Sequence, residues 1–256
     1  MNDLPTIRVG CISWTYPDWL GSFYPEGIRS TDYLPYYSKV FDIVEIDATF
    51  YRLPTSTTVR QWKEKTPPNF LFTAKLSKRI THDSRLKDVY PSLKEFEKVI
   101  EGLDYKLACV MAQMPPKLKF DKGYDLLKRF LEETNPDIRY AIEFRDPSWF
   151  RKETYDLLKE RRSAMVWSIT KNIENMIKPE VTSDFLYLRF MGQFGEYRKF
   201  DRVQEDKTNI LTEWLANLNL AKSKARQTFV MISNHFEGFA PATAKKFQEM
   251  LLRAQN

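Results

Sequence analysis

Short apolar runs recur eight times along the chain, separated by stretches of helical character, and this alternation restricts the available folds more than any other feature. The runs lie at Ile7–Ile12, Asp42–Ile46, Phe70–Lys75, Leu107–Gln113, Arg139–Phe144, Ala164–Ile169, Phe185–Phe190 and Thr228–Ser233. Each is about four to seven residues long, mostly apolar and free of internal proline, as strands covered on both faces must be. The helical stretches are Thr31–Val40, Thr57–Lys65, Pro91–Glu101, Lys122–Glu133, Trp149–Arg161, Glu205–Lys224 and Pro241–Arg253. Several begin at Ser/Thr caps or first-turn prolines. Repeated strand–helix units across 256 residues predict an α/β fold, a single-domain (β/α)8 barrel over residues 1–256. Two irregularities fall between strands six and eight. Strands six and seven are about twenty residues apart with Pro179 between them, which predicts a short or missing helix. Strands seven and eight leave room for a loop at Met191–Arg202 before a long helix. A doubly wound open sheet is the competing architecture. Against it, Ile12-Ser13-Trp14-Thr15-Tyr16 is bulky where a dinucleotide-binding turn needs glycine.

Composition narrows the setting. Cys11 and Cys109 are the two cysteines, too few for a disulfide framework or a metal knuckle, so reduced core thiols and a cytoplasmic location are expected. No run approaches the roughly 18 apolar residues of a membrane span, and Met1-Asn2-Asp3 leads into a strand without a signal-peptide pattern. No membrane association is therefore predicted. Forty Lys+Arg against 34 Asp+Glu give a net charge of +6, which suits an anionic partner, either a small substrate or nucleic acid. The basic residues form only pairs such as Arg161-Arg162 and Lys245-Lys246.

In a parallel barrel, residues i and i+2 share a face and the functional end is the carboxyl end of the strands. If Val44, Ile46, Ile142 and Phe144 face the helices, then Glu45, Asp47, Glu143 and Arg145 face the axis. The same rule delivers Lys75, Gln113, Arg189 and Asn234 to strand ends, with His82 and His235 just beyond strands three and eight. Charges inside a barrel must be paired or wet. One reading is therefore a buried structural network of Glu45, Lys75, Glu143 and Arg189; the other is a functional mouth.

As a functional mouth, these residues predict acid–base chemistry. Glu45 and Glu143 form a candidate acid/base pair. Arg145 keeps Glu143 ionised, and a drier Glu45 is the better acid. Lys75, Arg145 and Arg189 are candidates to hold an anion. His82 is the third catalytic candidate, and Asn234 and His235 orient substrate or shuttle protons. Asp47 and Gln113 complete the polar lining. Trp14, Tyr51 and Tyr197, with Tyr16 and Trp149, offer flat surfaces for stacking. No cofactor is expected. A divalent metal held by Glu45, Asp47, His82, Glu143 and His235 is an alternative, without His-x-His or His-x-x-x-His spacing to support it and with Lys75 competing at the same mouth. No nucleophile elbow, Walker loop or Cys-x-x-Cys is present.

The chain resembles the domain of unknown function 72 (YecE-like) family along nearly its whole length. The carrying segments are Gly10–Trp14, WLGSFYP at Trp19–Pro25, VEIDATFYRLP at Val44–Pro54, FLFTAKL at Phe70–Leu76 and Thr81-His82. EFRDPSW at Glu143–Trp149, Arg189–Gly192 and SNHFEGFAPATA at Ser233–Ala244 continue the series. The family pattern ends strand eight in two asparagines where this chain has Ser233-Asn234, one amide donor fewer. The resemblance implies a TIM-type barrel and no settled activity. The residues themselves predict a hydrolase or lyase acting on a phosphate-containing or nucleotide-like anion. The alternatives are a non-catalytic nucleotide or single-stranded nucleic-acid binder and a metal-dependent phosphoesterase or nuclease.

Overall fold

The computed structural model describes residues 6–170 and 180–254. Eight parallel strands close into a barrel in sequence order: β1 (Thr6–Ile12), β2 (Ile43–Ile46), β3 (Leu71–Lys75), β4 (Leu107–Gln113), β5 (Tyr140–Glu143), β6 (Ala164–Ile169), β7 (Phe185–Phe190) and β8 (Gln227–Ile232). Closure comes from β1 pairing β8 over six positions, Thr6↔Gln227 to Cys11↔Ile232. Chain order around the barrel follows from parallel strands joined by crossovers of one hand.

Period two divides the strand side chains as the sequence predicts. Val44, Ile46, Phe72, Ala74, Ile142 and Leu188 join the large core between sheet and helices. Ile12, Ile43, Met111, Val166, Tyr187 and Phe229 pack with one another inside the barrel. Gly10 is required here: a Cβ on it would lie 2.0 Å from the Ile43 carbonyl oxygen. The outer core also carries polar stitches. Buried Tyr37 accepts from the Cys11 amide (2.7 Å) and donates to the Ile43 carbonyl (3.0 Å), tying β1 to β2.

The covering helices are α1 (Tyr33–Tyr37), α3 (Ser56–Glu64), α4 (Tyr90–Ile100), α5 (Phe120–Glu133), α6 (Lys152–Glu160), α7 (Thr208–Ala221) and α9 (Ala240–Arg253), with short turns α2 (Ala48–Tyr51) and α8 (Asn234–Glu237) at the mouth. Three are shorter than the sequence predicts. The first, expected over Thr31–Val40, ends at Tyr37 because Lys39 and Val40 bond three residues back. The helix expected from Trp149 is split: Asp146 caps a separate turn at Pro147–Trp149 before α6 begins. α7 begins at Thr208, whose amide bonds the Asp206 carboxylate, and gives way to a 3-10 turn at Lys222–Lys224. The shortened helix expected around Pro179 falls outside the described residues. No helix among the described residues is long and apolar enough to cross a membrane.

Candidate functional site at the carboxyl end of the barrel

Inside the carboxyl half of the barrel, one guanidinium joins two carboxylates. Arg189 on β7 grips Glu45 on β2 with two nitrogens (Nη2–Oε1 2.7 Å, Nε–Oε2 3.1 Å) and reaches Glu143 on β5 with Nη1 (2.7 Å to Oε2). All three are fully buried. Each carboxylate has a further partner as well. Tyr187, two residues before Arg189 on the same face, donates to Glu45 Oε2 (2.7 Å), and the Thr73 hydroxyl bonds the Tyr187 oxygen (2.7 Å). Ser168, the register partner of Arg189 on β6, donates to Glu143 Oε1. Such satisfaction is what a buried charge cluster needs to persist.

The clamp is one positive charge short, and the shortfall points toward the mouth. Arg145, two residues beyond Glu143, supplies that charge through Nη2 to Glu143 Oε1 at 3.0 Å. Burial pushes the Glu143 carboxyl up, but Arg145, Arg189, the Ser168 hydroxyl and Lys75 outweigh it and bring the pKa down to about 2. Burial also works against the Arg189 cation, yet the two glutamates raise its pKa above the ordinary value. Burial, then the Glu45 charge, raises the Tyr187 phenol, keeping it a donor. Glu45 and Glu143 are thus brought together as expected, but as the two jaws of a buried clamp rather than as carboxyls open to substrate.

Above the clamp lies a rim in which Lys75 is buried and Asp47, His82 and Arg145 are partly exposed. Lys75 pairs with Asp47 (2.9 Å) and lies over the Phe50 ring at 4.2 Å. Thr49 of α2 bridges the Ile46 and Lys75 carbonyls, fixing the ends of β2 and β3. His82 follows in a π-helical turn, Arg79–Asp83, with Nδ1 bonded to the Thr81 hydroxyl (2.8 Å) and its ring edge-on to Phe50 (5.1 Å). Burial lowers its pKa, Lys75, Lys78 and Arg145 lower it further, and Asp83 opposes them. The imidazole is therefore neutral near pH 7, and Nε2 is the nitrogen left for proton exchange. Arg145 is 18% exposed at its side chain, and its Nε is buried with no hydrogen-bond partner among the described residues.

The β8 side of the mouth is aromatic. His235 packs against Phe194 and Phe200, each at 5.0 Å. Burial lowers its pKa against an opposing pull from Glu196. The loop holding these rings crosses the α8 turn closely, since a Cβ on Gly192 (φ +66) would lie 1.8 Å from the His235 carbonyl oxygen. Asn234 is buried, and its Oδ1 accepts from Trp19 Nε1 (3.2 Å) and the Ala240 amide (2.9 Å).

Other predicted residues are placed differently. Trp14 is turned outward and lines, with Asp47 and Trp62, a small cavity of about 260 Å³ beside the ends of β1 and β2. Ser13 takes a left-handed backbone (φ 65), breaking the period-two register, and Trp14 packs edge-on against Trp62 (5.7 Å) and Phe72 (6.5 Å) in the outer layer. Trp149 is likewise core, stacked on Phe144 at 4.6 Å. Gln113 ends β4 as the register partner of Glu143. Tyr51 is exposed beside Phe50, and Tyr197 donates to Glu205 at 2.8 Å on the loop after β7. The five proposed metal ligands do not converge: among the described residues no three His, Cys, Asp or Glu side chains form a metal-holding group. Tyr187 is the clamp partner that sequence reasoning did not single out. The i, i+2 rule applied back from Arg189 marks Tyr187, which is the signal that was available. A separate cavity of about 820 Å³ opens near the amino-terminal ends of β5 to β8. Its Arg161 is committed to Glu132 (2.7 Å), and α6 ends beside it, where cations suit the helix dipole.

With a closed parallel barrel and these mouth blocks in place, comparison with known proteins is decisive on kinship. The profile of a family described as "Protein of unknown function DUF72" matches residues 8–256. The chain belongs to this family. The UPF0759 protein YunF of Bacillus subtilis (strain 168) is 26% identical over 272 residues, covering 96% of this chain and 94% of the relative. The UPF0759 protein YecE of Escherichia coli (strain K12) is 28% identical over 146 residues, 57% of this chain and 51% of the relative. A DUF72 family crystal structure from Thermotoga maritima MSB8 aligns with a TM-score of 0.83 at 29% identity, covering 96% of this chain and 99% of the other. Another, from Enterococcus faecalis V583, gives 0.78 at 20% identity over 98% and 99%, a likeness of fold.

Proposed function

We propose that this DUF72 protein is an acid–base enzyme that holds an anionic, phosphate-bearing substrate at the barrel mouth. Arg145 and Lys75 are the anion-holding groups and His82 is the proton-transfer group. The observation that carries this reading is Arg145: its position is set by Glu143, yet its buried Nε has no partner among the described residues. An unpaired buried donor on a guanidinium is an incomplete hydrogen-bonding set, and an oxyanion completes it. His82 in its neutral form beside two cations is suited to take a proton from a bound anion or its attacking water. The Glu45–Arg189–Glu143 clamp is then the rigid floor that aims Arg145, and its carboxylates are not the acid and base.

The test is calorimetric titration with inorganic phosphate, followed by turnover assays on a panel of phosphomonoesters. Arg145→Gln is expected to weaken phosphate binding about tenfold or more, the scale of a charge-assisted contact. His82→Gln is expected to keep phosphate binding and lose turnover by about a hundredfold. Wild-type protein that binds no phosphate at millimolar concentration, or R145Q protein that binds it as tightly, overturns the reading. A binding-only role is the second reading, favoured by the clamp having consumed both carboxylates. Single-stranded DNA or RNA binding that falls steeply with salt, with no turnover on any phosphomonoester, supports it instead.

A further inference from the structure

Ser13, the residue after β1, holds a left-handed backbone (φ 65) that a side chain makes unfavourable. Such strain persists only where the surroundings over-determine it, and it gathers at ligand sites. Here the Ser13 amide still bonds the Glu45 carbonyl (2.9 Å), and the Thr15 amide bonds Ser13 Oγ (3.3 Å). The Tyr24 hydroxyl donates to the Trp14 carbonyl (2.7 Å). The result is that Trp14 leaves the barrel and becomes a wall of the 260 Å³ cavity beside the ends of β1 and β2. Trp62 meets it edge-on at 5.7 Å, and Leu34 and Ile46 extend the apolar lining.

The same cavity carries one charge of each sign. Asp47 lines it from the end of β2, and Lys65 lines it from the position that ends α3. Asp47 gives Oδ1 to Lys75 (2.9 Å), and its Oδ2 has no hydrogen-bond partner among the described residues. The side chains of Lys65 and of Gln61, one turn earlier on α3, are also without partners among the described residues. Asp47 and Lys65 do not pair with each other either. An exposed lysine needs no explanation by itself. A carboxylate oxygen and an ammonium that line one small cavity unpaired leave both charges open to a single guest.

We propose that this cavity binds a small zwitterion, a free α-amino acid with an apolar side chain. Its ammonium pairs with Asp47 Oδ2, its carboxylate takes Lys65 and the Gln61 amide, and its side chain lies against Trp14 and Trp62. The charges then match one for one. A simple anion would meet the Asp47 carboxylate and a simple cation the Lys65 ammonium, and like-charge contacts count against both. About 260 Å³ is small beside the roughly 300–1,000 Å³ of pockets for drug-sized ligands, and it suits a guest of amino-acid size. The site does not rest on the anion reading of the mouth, which it meets only where Asp47 touches Lys75.

The test is calorimetric titration of the wild type with L-leucine and three analogues. 4-Methylpentanoate lacks the ammonium, 3-methylbutylamine lacks the carboxylate, and glycine keeps both charges without the apolar body. Leucine is expected to bind at least about tenfold more tightly than each analogue, the scale of one charge-assisted hydrogen bond or of that buried body. Lys65→Met removes an exposed side chain without a protein partner, so its thermal midpoint should match the wild type. K65M is expected to bind leucine about tenfold more weakly and 3-methylbutylamine no more weakly than the wild type. Wild-type protein that takes up no leucine at about 10 mM overturns the proposal. So does a singly charged analogue that binds as tightly as leucine, or K65M with undiminished leucine affinity.

Discussion

Replacing Arg189 with methionine removes the one cation between two fully buried carboxylates, and the consequences follow from the geometry. Three guanidinium hydrogen bonds disappear, two to Glu45 and one to Glu143. Glu45 keeps Tyr187, and Glu143 keeps Ser168 and Arg145. Removing one partner of a buried ion pair destabilises by about 3–5 kcal/mol, because the charge left behind is neither hydrated nor paired. At about 2.1 cal/mol/K of unfolding entropy per residue, a chain of 256 residues loses about 6–9 °C of Tm. The pH dependence gives a sharper test. In the wild type the folded Glu143 pKa, about 2, lies below its unfolded value, so its contribution is complete above the ordinary carboxylate range and is lost as pH falls toward 2. In R189M, burial and mutual repulsion raise the carboxyl pKa above the unfolded value. The folded state then binds the extra proton, and stability is lost as pH rises through that raised pKa. Urea unfolding followed by tryptophan fluorescence at pH 5, 6.5 and 8 is expected to show R189M weakest at pH 8. Adding Glu45→Gln should recover part of the loss and flatten the slope. A variant within about 1 kcal/mol of wild type at pH 8 refutes the claim that the clamp is a tightly coupled buried network.

Three further outcomes follow from other positions. Gly10→Ala places a methyl 2.0 Å from the Ile43 carbonyl oxygen, so a Tm loss of several degrees, or failure to fold, is expected in thermal denaturation. Lys106→Met removes the ammonium that donates to Lys63 O, Thr66 O and Thr66 Oγ1 at the end of α3; a loss of about 2 kcal/mol in urea unfolding is expected. Because the His82 pKa is lowered, any His82-dependent turnover should be complete at neutral pH and lost only below about 6.5, the unperturbed value. A pH–rate profile in which H82Q retains that acid limb assigns the limb to another group.

The barrel was legible because it is written in period two. Val44/Ile46 against Glu45, and Ile142 against Glu143, carry both strand identity and facing in a few residues. The approximate strand ends survive because buried parallel strands need unbroken apolar outer faces. Helix ends were less legible, since Asp146 and Asp206 redirect the chain through side-chain caps that compete with helical continuation. The clamp residues were found by alternation, but their pairing was not, because pairing depends on which strands face each other across the axis. Trp14 shows the limit of the rule. One left-handed residue, Ser13, turns the following side chain to the opposite layer, and a serine gives no sequence warning of that conformation.

The interior is graded along its axis, and this makes the division between foundation and site a physical one. Near the amino-terminal end, Arg139 is spent on structure: it stacks on Phe185 and Phe229 and bonds the Ala108 carbonyl and Gln227. Apolar groups and the Thr73–Tyr187 pair fill the middle, and the Glu45–Arg189–Glu143 clamp closes it. Beyond the clamp the charges become partly exposed, and donors are left unmatched, Arg145 Nε and Asn234 Nδ2 among them. Unmatched buried atoms also occur at the amino-terminal end, at Arg8 Nε and Asp42 Oδ1, so what singles out Arg145 is its place directly above the clamp. In the proposed reading the clamp's carboxylates act through Arg145. Glu143→Gln and R145Q should each weaken phosphate binding and lower the unfolding midpoint, because Arg145 is the main cation compensating buried Glu143.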